Sequence, residues 1–208
     1  MSIVDLLERN HKLFGGKAAL VEVDAASERQ MSVNDKEQTE TTYRLEITWS
    51  VLDEKANRVA NVLWSRGIRK GQKIAILVTD YVEFLAIYFG VLKIGAVAVL
   101  WNYECAANEM NEYLSKADVD VLFFGPEFME QIDQLAPQYV KKVLFLFVGK
   151  RGPFFAENYY DTTANSSSVA PKVLVDDEDE ATVFLAVIRG LLQKSAGLSI
   201  VLSYRWPK

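Results

Sequence analysis

The sequence predicts an α/β protein: an open, partly parallel sheet with helices on its flanks. Three observations predict it. From residue 43 onward, strand-like and helix-like segments alternate, the order that builds a sheet by right-handed crossovers. Several strand segments, such as Lys73–Val78 and Val119–Phe124, are nearly continuous apolar runs, as expected of strands buried on both faces. The composition is 50% hydrophobic and 25% charged over 208 residues, which is that of a chain with a real core.

Residues 3–14 form an amphipathic helix with Ile3, Leu6, Leu7 and Leu13 as its apolar set. Residues 18–23 read as a strand. Residues 24–42 are polar and aperiodic, a loop or irregular hairpin, and 43–47 alternate as a second strand. Thr48 is a helix cap, and Leu52, Ala56, Val59, Ala60 and Leu63 make one helix face. Gly67 ends that helix, and Gly71 turns the chain into the strand Lys73–Val78. A helix over Tyr81–Ile94 stops at Gly95. The strand Ala96–Leu100 follows, then a helix over 107–116 with Met110, Tyr113 and Leu114 inward, then the strand Val119–Phe124 closed by Gly125-Pro126. A short helix covers Glu127–Leu135, Pro137 breaks the chain, and Val143–Val148 is a further strand. Residues 149–172, rich in Gly, Asn, Ser and Thr, read as a loop or linker.

Charge and composition exclude several function classes. Lys and Arg number 23 against 28 Asp and Glu, a formal charge of −5, so nucleic acid is not an expected partner. The single Cys105 and single His11 exclude a disulfide within the chain and a Cys/His zinc site, and one cysteine fits a reduced, cytoplasmic setting. The most apolar window, Phe84–Leu100, is short and is interrupted by Gly90, Lys93 and Gly95, so no transmembrane segment is expected. The first dozen residues lack the apolar core of a signal peptide.

Chemistry-bearing residues are few. Cys105 and His11 are the one conceivable nucleophile pair, but they lie far apart without a surrounding signature; a buried thiol and a surface imidazole are the plain alternative. Asp176, Asp177, Glu178, Asp179 and Glu180 lack the glycine and spaced ligands of a calcium loop and read as a solvated face. Gly67, Gly71, Gly90 and Gly95 do not form a phosphate loop and read as helix ends and turns. Trp49, Trp64, Tyr88, Phe89 and Trp101 sit at core-packing spacing, with a ligand pocket as the alternative. No catalytic, cofactor-binding or metal-binding residue is assigned.

The run from Ile47 to Phe124 resembles the N-terminal part of the adenylate-forming (AMP-dependent) synthetases, the acyl-CoA synthetases and their relatives. The residues that carry the resemblance are Thr48-Trp49-Ser50-Val51-Leu52-Asp53-Glu54-Lys55-Ala56-Asn57-Arg58-Val59-Ala60 with Leu63, then Gly67-Ile68-Arg69-Lys70-Gly71-Gln72-Lys73-Ile74-Ala75-Ile76. Glu83 to Val99, Leu100-Trp101-Asn102 and Ala117 to Phe123 continue it. Gln72 stands where the family usually has Asp, and Trp101 where Pro is common. The resemblance covers roughly residues 3–184 and implies the incomplete N-terminal subdomain of such a synthetase. It implies ATP-dependent activation of a carboxylic acid to an acyl-adenylate, followed by transfer to a thiol. ATP, magnesium and coenzyme A are implied for the full-length family, with none bound by this portion.

The tail departs from the family. Members pass from a segment like Asp177-Glu178-Asp179-Glu180-Ala181-Thr182-Val183-Phe184 into Thr-Ser-Gly-Thr-Thr-Gly-x-Pro-Lys-Gly, whose backbone N–H groups, hydroxyls and Lys hold ATP phosphates. Here Leu185-Ala186-Val187-Ile188-Arg189-Gly190 follows instead. Codons for these six residues, read one base earlier, permit Thr-Ser-Gly-x-Thr-Gly with Asn, Asp, Tyr or His at the fourth place. The Phe184 codon would then allow only Ser or Pro at the first place unless the slip lies there. The expected organisation is therefore a truncated synthetase part over 1–184, with 149–172 as linker, and a divergent, frame-shifted tail over 185–208. The rival is an authentic short product or non-catalytic interaction module acting through a partner, with self-association through surface exposed by truncation as one such route. The tail itself is expected to be disordered or helical.

Overall fold

The fold is read from a computed structural model that describes residues 3–23, 44–103, 107–176, 178–188 and 198–205. Helix α1 (Ile3–Phe14) leads into a two-stranded antiparallel sheet of β1 (Ala18–Val23) and β2 (Arg44–Thr48). Helix α2 (Trp49–Ser65) follows at once. The body of the protein is a seven-stranded sheet: β3 (Lys73–Leu77), β4 (Val97–Trp101), β5 (Val121–Phe124), β6 (Leu144–Phe147), β7 (Glu157–Asn158), β8 (Glu180–Ile188) and β9 (Leu198–Arg205). Their spatial order is β7-β6-β5-β3-β4-β8-β9. Neighbours are parallel except β8 and β9, which run antiparallel. The helices are α3 (Tyr81–Lys93), α4 (Ala107–Ala117), α5 (Met129–Tyr139) and α6 (Tyr159–Ala164).

The helix starts follow from local chemistry. Val51 N–H donates to Thr48 Oγ1 at 3.3 Å, and Val82 and Glu83 N–H groups donate to Asp80 Oδ1 at 3.0 and 3.1 Å. These bonds satisfy donors that the first helical turn leaves open. The predicted inner face of α2 is the observed one: Leu52, Ala56, Val59, Ala60 and Leu63 are all buried. The continuous apolar strands are buried on both faces, as the sequence predicts. Ile74, Ile76, Val121 and Phe123 face α2 and α3, whereas Ala75, Leu77, Leu122 and Phe124 face α4 and α5.

Four expectations are corrected. Helix α1 turns Val4 and Leu7 inward and leaves Leu6 and Leu13 exposed, because only the Val4–Leu7 ridge meets Leu52, Ala56 and Leu92. The helix predicted over 127–135 begins after a 3₁₀ turn (Pro126–Phe128) and runs on through Pro137. Pro137 sits in the last turn, so it forfeits one backbone bond, and Val140 N–H still closes on Ala136 O. The 149–172 stretch is not a bare linker: Asn158 caps α6 by accepting Asp161 N–H, and β7 pairs with β6. The tail places Leu198–Arg205 as a strand along β8.

Candidate functional site

The chain enters the sheet at β3, steps to β4 through α3, then returns past β3 to β5 through α4. Helices α3 and α4 lie on opposite faces. The reversal makes a topological switch point at the carboxyl ends of β3 and β4, where open α/β sheets form their ligand crevice. Three loops frame it: Val78–Tyr81 after β3, Trp101–Tyr103 after β4 and Gly125–Glu127 after β5. The carboxyl end of β8 lies beside them, since Leu100 pairs with Phe184 and Trp101 with Leu185.

The crevice is tied together by short polar contacts. Thr79 donates twice to Glu127 Oε1, from its N–H at 3.1 Å and from its hydroxyl at 2.5 Å. Tyr103 donates to Val78 O at 3.2 Å, and its ring lies 5.9 Å from that of Phe128. Partial burial, with Tyr81 and Glu127 nearby, raises the Tyr103 phenol above its ordinary range. Among the described residues of these three loops the charged ones are Asp80 and Glu127. That edge suits a ligand only if cations come from elsewhere, because phosphate recognition needs them.

Two buried polar clusters lock the helices behind the crevice. Glu83 is 6% exposed. Its Oε1 accepts from Lys55 Nζ at 2.6 Å and its Oε2 from Tyr159 O–H at 2.6 Å, which joins α2, α3 and α6. Burial first, and then the Glu83 charge, pushes the Tyr159 phenol well up. Lys93 Nζ lies 2.9 Å from Asp53 Oδ1 and 3.5 Å from Glu8 Oε1. The Lys93–Asp53 contact is an ion pair by distance, and neither atom has a hydrogen-bond partner among the described residues. Asn57 Nδ2 donates to Asp53 Oδ2 and to Ser168 O, at 3.0 and 2.9 Å. Sequence reading placed these groups on helices without pairing them. The available signal was a lone acid and a lone lysine in the otherwise apolar run 82–94.

The other singled-out residues are dispersed. His11 lies on α1, half-buried, with Nδ1 covered and without a hydrogen-bond partner among the described residues; Cys105 lies outside the described residues. Of the acidic run, Asp179 pairs with Lys70 at 2.7 Å and accepts Asp176 N–H at 2.8 Å. Asp177 is outside the described residues. Among the described residues no group of three His, Cys, Asp or Glu side chains could hold a metal ion, and no helix is long and apolar enough to cross a membrane. Trp101 is buried, with its ring 5.6 Å from Tyr113. Trp64 departs from the core expectation: it is 38% exposed, and the Arg69 guanidinium stacks on it at 3.9 Å. Gly67, Gly71 and Gly95 are turn residues with positive φ. Gly90 is not a helix end; it lies inside α3, where a Cβ would stand 2.6 Å from Val59 Cβ. Gln72 takes the family's Asp position and donates to Asp120 Oδ1 at 2.8 Å, a bond that a carboxylate could not make.

Comparison with known proteins fits this architecture. Over 92 residues the chain is 37% identical to the long-chain-fatty-acid–CoA ligase FadD13 of Mycobacterium tuberculosis (strain H37Rv), a match spanning 44% of this chain and 18% of that protein. It is 31% identical over 107 residues to a 3-hydroxybenzoate–CoA/4-hydroxybenzoate–CoA ligase of Thauera aromatica, spanning 51% of this chain and 20% of that one. The matches thus cover about a fifth of each relative. The fold overlays the anthranilate CoA ligase AuaEII, solved with anthranoyl-AMP, at a TM-score of 0.77 and 21% identity, covering 98% of this chain and 35% of that one. It overlays the N-terminal domain of FACL13 from Mycobacterium tuberculosis at 0.72 and 23% identity, covering 98% of this chain and 44% of that one. The family model of the AMP-binding enzymes matches residues 26–185. The parallel sheet, its switch-point crevice and this match agree: the chain belongs to the AMP-binding enzyme family.

Proposed function

We propose that this chain carries the amino-terminal half-sheet of a ligase that activates a carboxylic acid with ATP and passes the acyl group to a thiol such as coenzyme A. The observation that carries the reading is the placement of β8. It runs parallel to β4 and delivers residues 184–188 to the carboxyl edge beside the switch-point crevice. The family resemblance puts the Thr-Ser-Gly phosphate loop at that point of the chain. In the reaction the acid's carboxylate oxygen bonds to the α-phosphorus of ATP and pyrophosphate leaves. The thiol sulfur then bonds to the acyl carbon as AMP leaves. Magnesium would neutralise phosphate charge in the first step.

The part this chain plays is scaffolding. Asp80 and Thr79 hold the loop after β3, Glu127 and Tyr103 brace it, and the Glu83 and Asp53 clusters fix the helices behind it. Leu185-Ala186-Val187-Ile188 offers no hydroxyls and no lysine for phosphate, and the crevice loops supply Asp80 and Glu127 instead. The chain alone is therefore inactive in this reading, with a cytoplasmic setting, and its tail 185–208 arises from a shifted frame. The test is to resequence the source DNA and transcript from the Asp176 codon past Lys208, and to assay the product of any restored frame. A one-base change that restores Thr-Ser-Gly, giving a product with acid-dependent pyrophosphate–ATP exchange, supports the reading. An uninterrupted frame as given removes the frame-shift, and a restored product without exchange overturns the activity.

A second reading is a non-catalytic interaction module. The observation favouring it is exposed apolar surface, including Phe184 at 47%. Light scattering on the purified chain decides whether that surface already produces self-association.

A further inference from the structure

We propose that residues 165–170 form a releasable strap across α2. Side chains of that helix fasten the strap by its backbone carbonyls, and it opens as a unit while the sheet stays folded. The strap is independent of the ligase reading and of any activity of this chain.

The fastening lies on one side of α2. Asn57 and Asn61 are one helical turn apart, so their amides stand in line, with Arg58 beside them. Asn57 Nδ2 donates to Ser168 O at 2.9 Å, and Asn61 Nδ2 to Ser167 O and Val169 O at 2.9 and 2.8 Å. Arg58 Nη1 donates to Ser166 O at 2.6 Å and reaches Thr163 O and Ala164 O at 3.4 and 3.3 Å. The last two carbonyls end α6, a helix terminus that favours a cation. Every acceptor is a main-chain carbonyl, so α2 holds the strap by its backbone and not by the identity of its side chains. Those side chains give no apolar hold. Among the described residues between Tyr159 and Ala181 none is buried, and Val169 is 74% exposed. The apolar anchors stand outside the strap, at Tyr159 before it and at half-buried Val173 after it. Water replaces a surface hydrogen bond when it breaks, so the net worth of each is modest. A segment with few buried apolar contacts and exposed polar bonds opens below global unfolding.

The strap divides one trough into two. On one side Asn61, Ser65, Arg66 and Glu157 border a polar groove of about 720 Å³ that reaches Ser166 and Ser167. On the other, His11, Asp53, Glu54 and Asn57 border one of about 390 Å³ that reaches Ser168 and Ala170. Lifting residues 165–170 joins the two along α2 and turns the donors of Asn57, Arg58 and Asn61 to solvent. Asn57 links the strap to the interior, since the same Nδ2 also donates to Asp53 Oδ2 at 3.0 Å, beside the buried Lys93 ion pair. The closed strap therefore occupies the donors of α2, and the open one presents them as a row that reads carbonyls.

The test is native-state proteolysis of the full 208-residue chain with thermolysin, following cleavage of the Ser168–Val169 bond by mass spectrometry. In the parent that bond is cut slowly, at a rate that stays flat across urea concentrations below the unfolding transition, because the strap opens alone. Arg58→Met and Asn61→Leu each raise the rate about tenfold, the factor expected when donors that fasten the strap are withdrawn. Ser166→Ala, which keeps the carbonyl that Arg58 reads, leaves the rate unchanged. Should Arg58→Met lose its far-UV spectrum, Asn61→Leu and the urea dependence of the parent carry the test. A rate indifferent to the withdrawn donors overturns the strap. So does a parent rate that climbs with urea in step with the loss of far-UV signal, because the segment would then open only by global unfolding. Cutting of the parent as fast as of a free peptide spanning 163–174 also overturns it, because nothing would then fasten the segment.

Discussion

Replacing Gly90 by Ala sets two opposing terms against each other. In an exposed helix the change stabilises by about 1 kcal/mol, because Ala is the better helix former. Here α3 crosses α2 at this residue. A Cβ on residue 90 would stand 2.6 Å from Val59 Cβ, 2.7 Å from Val59 Cγ1 and 2.8 Å from Ala56 O. Val59 is 1% exposed and cannot swing away, and the carbonyl belongs to the α2 backbone. Relief requires the two helices to separate, so the overpacking term falls near the upper end of its usual range, about 3 kcal/mol. The net expectation is a loss of about 2 kcal/mol, or roughly 4–8 °C in Tm for a domain of this size. Urea and thermal melts followed by far-UV circular dichroism measure it. Gly16→Ala is the control, with nothing among the described residues within 4 Å of its added Cβ and an expected change within about 0.5 kcal/mol. Val59→Ala in the Gly90→Ala background should restore little, since Val59 Cβ and Ala56 O stay in place. A Gly90→Ala variant as stable as the parent would refute the close α2–α3 crossing.

Three further outcomes follow from the buried polar groups and the loop geometry. Lys93→Met strands Asp53, which is 6% exposed, and should cost about 3–5 kcal/mol; the double variant with Asp53→Leu should recover most of it in a denaturation cycle. The raised Tyr159 pKa means that folding holds a proton which the unfolded chain releases near pH 10. That contribution is complete below pH 10 and is lost as pH climbs toward the folded value. Urea midpoints should therefore fall as pH rises above about 10, and Tyr159→Phe should flatten that slope; equal slopes would contradict the burial. Thr79→Val removes one of the two donors to Glu127 and should cost about 1 kcal/mol, read as a shift in the urea midpoint.

The sheet was legible because parallel strands write themselves as apolar runs: Lys73–Val78 and Val119–Phe124 needed no tertiary information. The start of α2 was legible from the Thr48 cap and the Leu52–Leu63 periodicity, whereas the Asp80 cap of α3 appears only in the structure. What escaped depends on partners distant in sequence. Gly90 reads as punctuation until Val59 is seen against it. Glu83 and Lys93 read as flaws in an apolar helix until Tyr159 and Asp53 are placed beside them. Helix α6 hid in a polar stretch because its stability comes from the Asn158 cap and the burial of Tyr159, not from an apolar stripe. Trp64 left the core because Arg69, five residues on, offered its ring a cation. The crevice itself left no motif, since it is made by strand order, which appears only when α3 and α4 take opposite faces.

The most direct measurement is acid-dependent exchange of labelled pyrophosphate into ATP by the purified 208-residue chain, with magnesium and a panel of fatty and aromatic acids. On the proposed reading, a sheet that presents Asp80 and Glu127 at this edge, and Leu185–Ile188 where the family resemblance puts a phosphate loop, should give no exchange above the acid-free control. Exchange that rises with added acid would contradict the account, for the adenylation step would then be within the reach of these residues alone.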